Sequence, residues 1–172
     1  MAKQKNIEKY NFLYALLRKY ICLMLSTVFY KKIIIKYDEP LPKNTPIIFA
    51  ANHQNALMDA LLLICSASKQ IVFFARADMF KNRFMAKFLM FFKIAPIYRI
   101  KDGIERLQLN HHSFSIASSV LASGNCIGIF PEGQHNDAEF LLSLKKGLSR
   151  IAFQVEAENN FNLNVHVVPV GI

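Results

Sequence analysis

A histidine and an aspartate lie six positions apart directly after an apolar stretch, where a loop can present both to a cleft. Asn52-His53 follows that stretch and Asp59 lies within the next apolar run. On one straight helix the two side chains would be rotated by about 240°, that is about 120° apart, so a non-helical turn starting at Asn52 is needed to bring them together. Asp59 would then accept the Nδ1 proton of His53 and leave Nε2 as a base. The alternative is a surface histidine and a helical aspartate without contact.

Two further polar segments follow apolar runs. In Phe130-Pro131-Glu132-Gly133 a carboxylate lies between proline and glycine, which suits a tight turn projecting it into a cleft, although these residues also form ordinary turns. Arg99 comes directly after Pro96-Ile97-Tyr98, and its planar guanidinium is suited to a phosphate; the alternative is a solvated surface arginine. Each segment alone is weak evidence for a site.

Short β-rich runs alternate with helical ones, which predicts an α/β domain with a mixed, largely parallel sheet flanked by helices. Strands are predicted at 32–37, 46–51, 70–75, 94–98, 126–130 and 164–170, and helices at 7–30, 57–66, 78–92 (capped by Asp78), 104–122 and 144–155. Sites in such sheets gather beyond the carboxyl ends of strands. That rule directs attention to the positions after Ala51, Tyr98 and Phe130.

Four motif blocks occur in a fixed order between residues 52 and 170. They are Asn52-His53 with Asp59, Pro96-Ile97-Tyr98-Arg99, Phe130-Pro131-Glu132-Gly133 and Val167-Val168-Pro169-Val170, with Lys145-Lys146-Gly147 after the third block. In this set and spacing the chain resembles the glycerolipid acyltransferase family, typified by 1-acylglycerol-3-phosphate acyltransferases.

The resemblance implies transfer of a fatty acyl group from acyl-CoA or acyl-carrier protein to a hydroxyl of a glycerol-phosphate-type acceptor in phospholipid biosynthesis. It makes His53 the general base and Asp59 the residue that orients it. It assigns acceptor and phosphate binding to Arg99, Glu132, Gly133 and Lys145, and supporting roles to Asn52, Phe130, Pro131 and Pro169. The acyl thioester is a substrate, and no metal or other cofactor is expected. Direct transfer needs no acyl-enzyme, which leaves the cysteines without a catalytic role.

Two departures from the family pattern bear on the acceptor. Five residues separate His53 from Asp59, where the common pattern has four; relatives that acylate glycerol-3-phosphate resemble the longer spacing. Gln134-His135 follows Gly133, where many relatives have Thr or Ser followed by Arg. The acceptor is therefore lysophosphatidate, glycerol-3-phosphate or a lyso-lipid with another head group. A lipid-binding member without turnover is a further alternative.

Composition excludes a disordered or fibrous chain, because 53% of the residues are hydrophobic and 19% are charged. The 21 basic against 12 acidic side chains indicate an anionic partner, and the excess lies in the first 101 residues. Helices 7–30 and 78–92 combine apolar and basic side chains, which predicts membrane lipids as that partner. A nucleic-acid-binding domain is the distant rival, and no motif of that class is recognisable.

Residues 1–35 are predicted as a membrane-interfacial helix region and 36–172 as the acyltransferase domain, truncated at its C-terminus. The longest early uncharged stretch, 20–30, is short of the ~20 residues that span a bilayer, which argues against a transmembrane helix. Cys22, Cys65 and Cys126 are too sparse for a disulfide framework or a zinc site and predict a reducing compartment. The expected location is the cytoplasmic face of a membrane, as a peripheral or monotopic protein.

Overall fold

A computed structural model of the chain describes residues 7–42, 45–98, 110–134 and 140–172. Within these ranges five strands form one sheet in the order β3-β2-β4-β1-β5, and every neighbouring pair is parallel. The strands are β1 (Ile47–Ala51), β2 (Ile71–Arg76), β3 (Ile94–Ile97), β4 (Cys126–Ile129) and β5 (His166–Val170). The predicted α/β fold is confirmed.

The helices are α1 (Phe12–Met24), α2 (Leu57–Ser66), α3 (Arg83–Phe91), α4 (Asn110–Ala122) and α5 (Gly147–Glu158). A π-helical turn, Leu25–Phe29, continues α1, and a 3₁₀ turn, Ala77–Phe80, precedes α3. Because side chains alternate along a strand, the sheet buries two apolar faces. Ile48 and Ile127 pack in one cluster with residues of α4 and α5, whereas Phe49 and Phe73 pack in the other with Leu63 of α2.

Strand order explains why distant motifs meet. β4 lies between β1 and β2, although it follows both in the chain, so the carboxyl ends of β1 and β4 are neighbours at one edge of the sheet. His53 comes two residues after β1, and Phe130 directly follows β4. The fold therefore brings the first and third motif blocks together at the edge where ligands bind in open α/β sheets.

Two predictions about elements are wrong. Residues 32–37 have no strand structure, and Ile34 and Ile35 are exposed; β4 and β5 already occupy both sides of β1, so this apolar run does not join it. Asn82, not Asp78, caps α3, since its Oδ1 accepts from the backbone N–H groups of Phe84 and Met85. Of the helix predicted at 104–122, positions 104–109 lie outside the described residues.

The amino ends of β2, β3 and β4 bind the N-terminal segment. Three side chains, each one residue before a strand, make these contacts. Gln70 exchanges two hydrogen bonds with the backbone of Asn11. Lys93 donates from Nζ to the carbonyl oxygens of Ile7, at 2.6 Å, and Lys9. Asn125 donates to the carbonyl of Glu8. We call these three side chains the latch; it fixes where α1 begins.

The helical stretch Phe12–Phe29 is 18 residues long with a mean hydropathy of 1.5, and 11% of it is buried. By length and composition it can cross a membrane, so the expectation that this region is too short does not hold. That expectation rested on the uncharged stretch 20–30 alone. The helix is longer because it also includes the charged pair Arg18-Lys19 and the apolar residues before it. Arg18 donates to the carbonyls of Ala67 and Lys69, which keeps this part of α1 against the domain.

A disulfide joins Cys22 of α1 to Cys65 of α2, with the Cα atoms 5.5 Å apart. The expectation that the cysteines are too sparse to pair is therefore wrong for two of the three. The two cysteines are 43 positions apart in the chain, and they meet only because α1 packs along α2. Disulfides persist in oxidising surroundings, so this bond argues against the predicted reducing compartment.

Candidate functional site

The turn between β1 and α2 places His53 against Asp59. His53 Nδ1 lies 3.1 Å from Asp59 Oδ2, and the backbone N–H of Asn55 donates to the same oxygen at 2.8 Å. Asp59 is 1% exposed, whereas the His53 side chain retains 17% of its exposure. A buried carboxylate at Nδ1 fixes the tautomer that carries its proton there and orients Nε2 outward from the pair. This geometry is what a general base requires.

Ala56 allows the chain to reverse between His53 and Asp59. Its φ of 44° lies in the left-handed region, which costs a non-glycine residue about 1–3 kcal/mol. Met58 donates a backbone hydrogen bond to Asn55 at 2.9 Å and closes the turn. α2 then starts at Leu57, so that Asp59 lies in its first turn. The surrounding structure therefore stabilises a strained turn at the site.

Glu132 joins the turn after β1 to a distant segment. Its carboxylate accepts from the backbone N–H of His53 at 2.9 Å through one oxygen and from that of Leu142 at 3.1 Å through the other. The residue is 2% exposed. A buried carboxylate needs such donors, because an unpaired charge in the interior is costly. Both oxygens of Glu132 thus hold backbone in place; its predicted contribution to acceptor binding stays a prediction.

The motif after β4 forms a tight turn that also contacts Lys145. The N–H of Gly133 donates to the carbonyl of Phe130 at 3.0 Å, and the φ of Gly133 is 72°, which glycine adopts without strain. The N–H of Lys145 donates to the carbonyl of Pro131 at 2.7 Å, and its Cγ would lie 3.5 Å from a Cβ at Gly133. The exposed Lys145 therefore lies beside this turn, and its predicted role in phosphate binding stays a prediction.

Asn52 binds the end of β5. Its side-chain oxygen accepts from the N–H of Ile172 at 2.7 Å, its side-chain nitrogen donates to the carbonyl of Ile172 at 3.2 Å, and its backbone N–H donates to Val170. Pro169 pairs with Ala50 and is exposed in β5, so it shares the face of Ala50 and not that of Phe49. The structure thus places Asn52 beside the His53–Asp59 pair and Pro169 on the other side of the sheet.

Arg99 lies outside the described residues, and so does His135. Tyr98, the residue before Arg99, is held by Asn110, whose side chain exchanges two hydrogen bonds of 2.8 Å with the Tyr98 backbone. The hydroxyl of Ser113 also donates to the carbonyl of Pro96 at 2.7 Å. α4 therefore fixes the end of β3, the strand that precedes the predicted phosphate-binding Arg99 in the chain.

Sequence reasoning missed several residues at this site. The backbone amides of Asn55 and Leu142 complete the contacts of Asp59 and Glu132, and such amides leave no signal in a sequence. Phe73 stacks on Phe130 with 6.0 Å between ring centroids, whereas its sequence context indicates only a buried strand. In the described part of the chain, no group of three or more His, Cys, Asp and Glu side chains is arranged to hold a metal ion.

The sheet is parallel, and His53 contacts the buried Asp59 at the carboxyl ends of its strands, as predicted from the sequence. Residues 32–172 match the family described as Acyltransferase. The chain therefore belongs to the acyltransferase family, which confirms the family predicted from the motifs.

Two relatives show how far the similarity reaches. Tafazzin of Drosophila melanogaster is 28% identical over 135 residues, which cover 74% of this chain and 34% of tafazzin. Glycerol-3-phosphate O-acyltransferase 1 of Saccharomyces cerevisiae is 44% identical over 52 residues, which cover 30% of this chain and 7% of that enzyme. The chain thus spans about a third or less of the length of these curated relatives.

Proposed function

We propose that this chain transfers a fatty acyl group from an acyl thioester, acyl-CoA or acyl-carrier protein, to a hydroxyl of a glycerol-phosphate-type acceptor. His53 is the general base and Asp59 its orienting partner. The observation that carries the proposal is the 3.1 Å contact between His53 Nδ1 and the buried Asp59 carboxylate, at the sheet edge where ligands bind. The family shown for the chain supports the reaction class.

The proposed step moves one proton and exchanges one bond. His53 Nε2 takes the proton of the acceptor hydroxyl as its oxygen attacks the thioester carbonyl carbon. The C–O bond forms, the C–S bond breaks, and the thiolate leaves with the proton that the imidazolium returns. Asp59 stabilises the imidazolium in between. Products are an ester and a free thiol, so no acyl-enzyme is required.

The cysteines support direct transfer. Cys22 and Cys65 are bonded to each other, and Cys126 is 2% exposed. Burial raises the pKa of the Cys126 thiol, with smaller opposing effects from Lys69 and the backbone of Ile47. Because the thiolate is the nucleophilic form, a buried thiol with a raised pKa is a poor nucleophile. Transfer without a cysteine intermediate is the mechanism that these positions favour.

Glycerol-3-phosphate is the acceptor that we propose first. The spacing of five residues between His53 and Asp59 resembles relatives that acylate this compound, and one matched relative carries glycerol-3-phosphate in its name. We assign its phosphate to Arg99 and Lys145. Lysophosphatidate is the second acceptor, since it presents the same phosphate on a glycerol backbone.

The acceptor is tested by incubating the purified chain with a long-chain acyl-CoA and each acceptor separately, with products detected by mass spectrometry. The panel contains glycerol-3-phosphate, dihydroxyacetone phosphate, lysophosphatidate and a lyso-lipid with an amino-acid head group. We expect lysophosphatidate from glycerol-3-phosphate in the highest yield. Ester formation only with another lyso-lipid would overturn the proposal that glycerol-3-phosphate is the acceptor. Lipid binding without ester formation would indicate a family member that binds lipid without turnover.

We further propose that the chain acts at a membrane surface as a peripheral or monotopic protein. Large apolar side chains are exposed along the N-terminal helical stretch: Phe12, Leu13, Leu16, Tyr20, Leu23, Val28 and Phe29. Phe84 and Phe88 of α3 are exposed beside Arg83 and Lys87, a combination typical of helices on anionic bilayers. That this surface faces the cytoplasm stays a prediction, and the Cys22–Cys65 disulfide argues against it.

Co-sedimentation with vesicles tests the membrane proposal. We expect the chain to bind vesicles that contain phosphatidylglycerol more tightly than neutral ones, and the difference to shrink with salt because basic side chains contribute through charge. Tight, salt-sensitive binding to random DNA with no affinity for either vesicle would contradict the proposal and favour a nucleic-acid-binding domain.

A further inference from the structure

Aromatic rings stack behind the imidazole of His53. The ring of Phe130 is parallel to the imidazole, with centroids 4.0 Å apart and an interplanar angle of 18°. Phe73 stacks on Phe130 in turn, with ring centroids 6.0 Å apart and the same interplanar angle of 18°. Phe73 is 4% exposed, so its ring has little freedom to move. We call His53, Phe130 and Phe73 the aromatic column.

A glycine in β4 makes room for this column. Gly128 pairs with Phe73 of β2 on one side and Phe49 of β1 on the other, so three neighbouring strands place two phenylalanines around one glycine. A Cβ built on Gly128 would lie less than 3.0 Å from three atoms of the Phe73 ring. Only a glycine at position 128 therefore leaves room for the Phe73 ring to lie across β4. There the Phe73 ring contacts the ring of Phe130, which follows Gly128 by two residues.

We propose that Phe73, seated on Gly128, is a positioning residue for His53 that acts through Phe130. The inference rests on the proposed function in one respect, the role of His53 as the base. Asp59 holds the edge of the imidazole at Nδ1, and the Phe130 ring lies against its face, so the two contacts restrain the ring in different directions. Phe73, which packs on Phe130, restrains the Phe130 ring in turn. A ring face also favours the imidazolium that forms during transfer, because its quadrupole attracts a cation.

The column gives His53 a signal that is independent of turnover. An aromatic ring shifts the NMR signals of protons over its face upfield, so the His53 ring protons should be upfield of those of an exposed histidine. They are assigned by their absence in His53→Ala. In Gly128→Ala the Cβ displaces the Phe73 ring, and we expect the His53 signals to move downfield. Phe73→Leu, which removes the ring without adding a clash, should move them in the same direction.

Kinetics of the same variants measure what positioning contributes. We expect Gly128→Ala and Phe73→Leu each to lower kcat about tenfold with KM nearly unchanged, a smaller loss than the 10²–10⁴-fold of a missing base. In the double variant the effects should not add, because the leucine side chain that replaces the Phe73 ring leaves room for the new methyl group. Phe74→Leu is the matched control: Phe74 is the next residue of β2, partly buried in the cluster on the opposite face. It should leave both kcat and the His53 signals unchanged.

The outcomes separate this inference from the proposed function. Unchanged His53 signals in both Gly128→Ala and Phe73→Leu would overturn the proposed positioning role of Phe73. A loss of kcat in these variants no larger than that in Phe74→Leu would overturn it as well. Upfield His53 signals that move as expected, in a chain that transfers no acyl group, would support the column and contradict the proposed function. If Gly128→Ala does not fold, Phe73→Leu against Phe74→Leu carries the test alone.

Discussion

Glu132 holds backbone on both sides of the candidate site. One of its oxygens accepts from the N–H of His53 and the other from the N–H of Leu142, and the carboxylate is buried. The resemblance placed Glu132 among the acceptor-binding residues. Its contacts in the structure also support a role in which it fixes the backbone of the turn after β1.

Replacing Glu132 by glutamine distinguishes these roles. Glu132→Gln retains the shape but leaves one acceptor oxygen, so one buried N–H loses its partner at a cost of about 1–3 kcal/mol of unfolding free energy. We expect a lower kcat with little change in the KM for the acceptor, measured with the thiol-release assay, together with a lower Tm. Glu158→Gln, on the exposed end of α5, is the control. A raised KM with unchanged kcat would show instead that Glu132 binds the acceptor.

At the scale of single residues, the sequence could predict which side chains form the candidate site, but not the backbone geometry and backbone donors around them. The types and order of His53, Asp59 and Glu132 are visible in the chain, because the chemistry needs a base and carboxylates. The strained φ of Ala56 and the backbone donors at Asn55 and Leu142 are not visible, because they depend on how the turn closes. Gly128 also has the pattern of an ordinary strand residue, since only the tertiary structure lays the ring of Phe73 across it.

Among the elements, α1 is joined to the domain by contacts that lie far from the site. The latch binds the segment before it at the amino ends of β2, β3 and β4, and the Cys22–Cys65 bond joins it to α2. Burial lowers the pKa of Lys93, against a smaller opposing effect of Glu8. The two carbonyl oxygens that accept from its Nζ stabilise the charge that burial opposes.

Removing the latch lysine should loosen α1. Lys93→Met leaves the carbonyls of Ile7 and Lys9 without this donor, and we expect the unfolding free energy to fall by about 1–3 kcal/mol. The segment before α1 should become sensitive to protease while the sheet remains resistant. Lys87→Met, on the exposed side of α3, serves as the control. Equal protease sensitivity in the two variants would contradict the latch.

The disulfide predicts a definite count of free thiols. Alkylation of the denatured chain without reductant should modify one cysteine, Cys126, and alkylation after reduction should modify three. The loop of 43 residues that the bond closes implies about 3–4 kcal/mol of stability that reduction removes. Mass spectrometry reads the count directly. Three modified cysteines before reduction would show that α1 and α2 are not bonded.

Local patterns predicted the strands of the sheet well because their apolar runs are short and bounded by polar residues. The prediction failed at 32–37, where an equally apolar run lies exposed, since pairing in a sheet depends on which neighbours are already occupied. The Cys22–Cys65 bond was missed for a related reason. It requires α1 and α2 to lie side by side, and no local pattern records that arrangement.

For the whole molecule, the parallel sheet places the candidate site at the carboxyl ends of its strands and the attachment of the N-terminal segment at their amino ends. The carboxyl ends of β1 and β4 hold His53, Asp59 and Glu132, whereas the amino ends of β2, β3 and β4 bind the segment that leads into α1. In the proposed function, α1 brings the domain to the lipid surface where acyl chains reside. The net charge of +9 then belongs to an enzyme that works beside anionic lipid.

Acyl transfer from acyl-CoA to glycerol-3-phosphate, compared between the wild-type chain and His53→Ala, decides whether His53 is the general base. The reaction is followed as release of free CoA, with the ester confirmed by mass. We expect wild-type turnover and a loss of about 10²–10⁴-fold or more in the variant, because the base that activates the acceptor hydroxyl is gone. His111→Ala, which removes an exposed histidine of α4, should retain full activity. Equal rates for the wild type and His53→Ala would contradict the assignment of His53 as the general base.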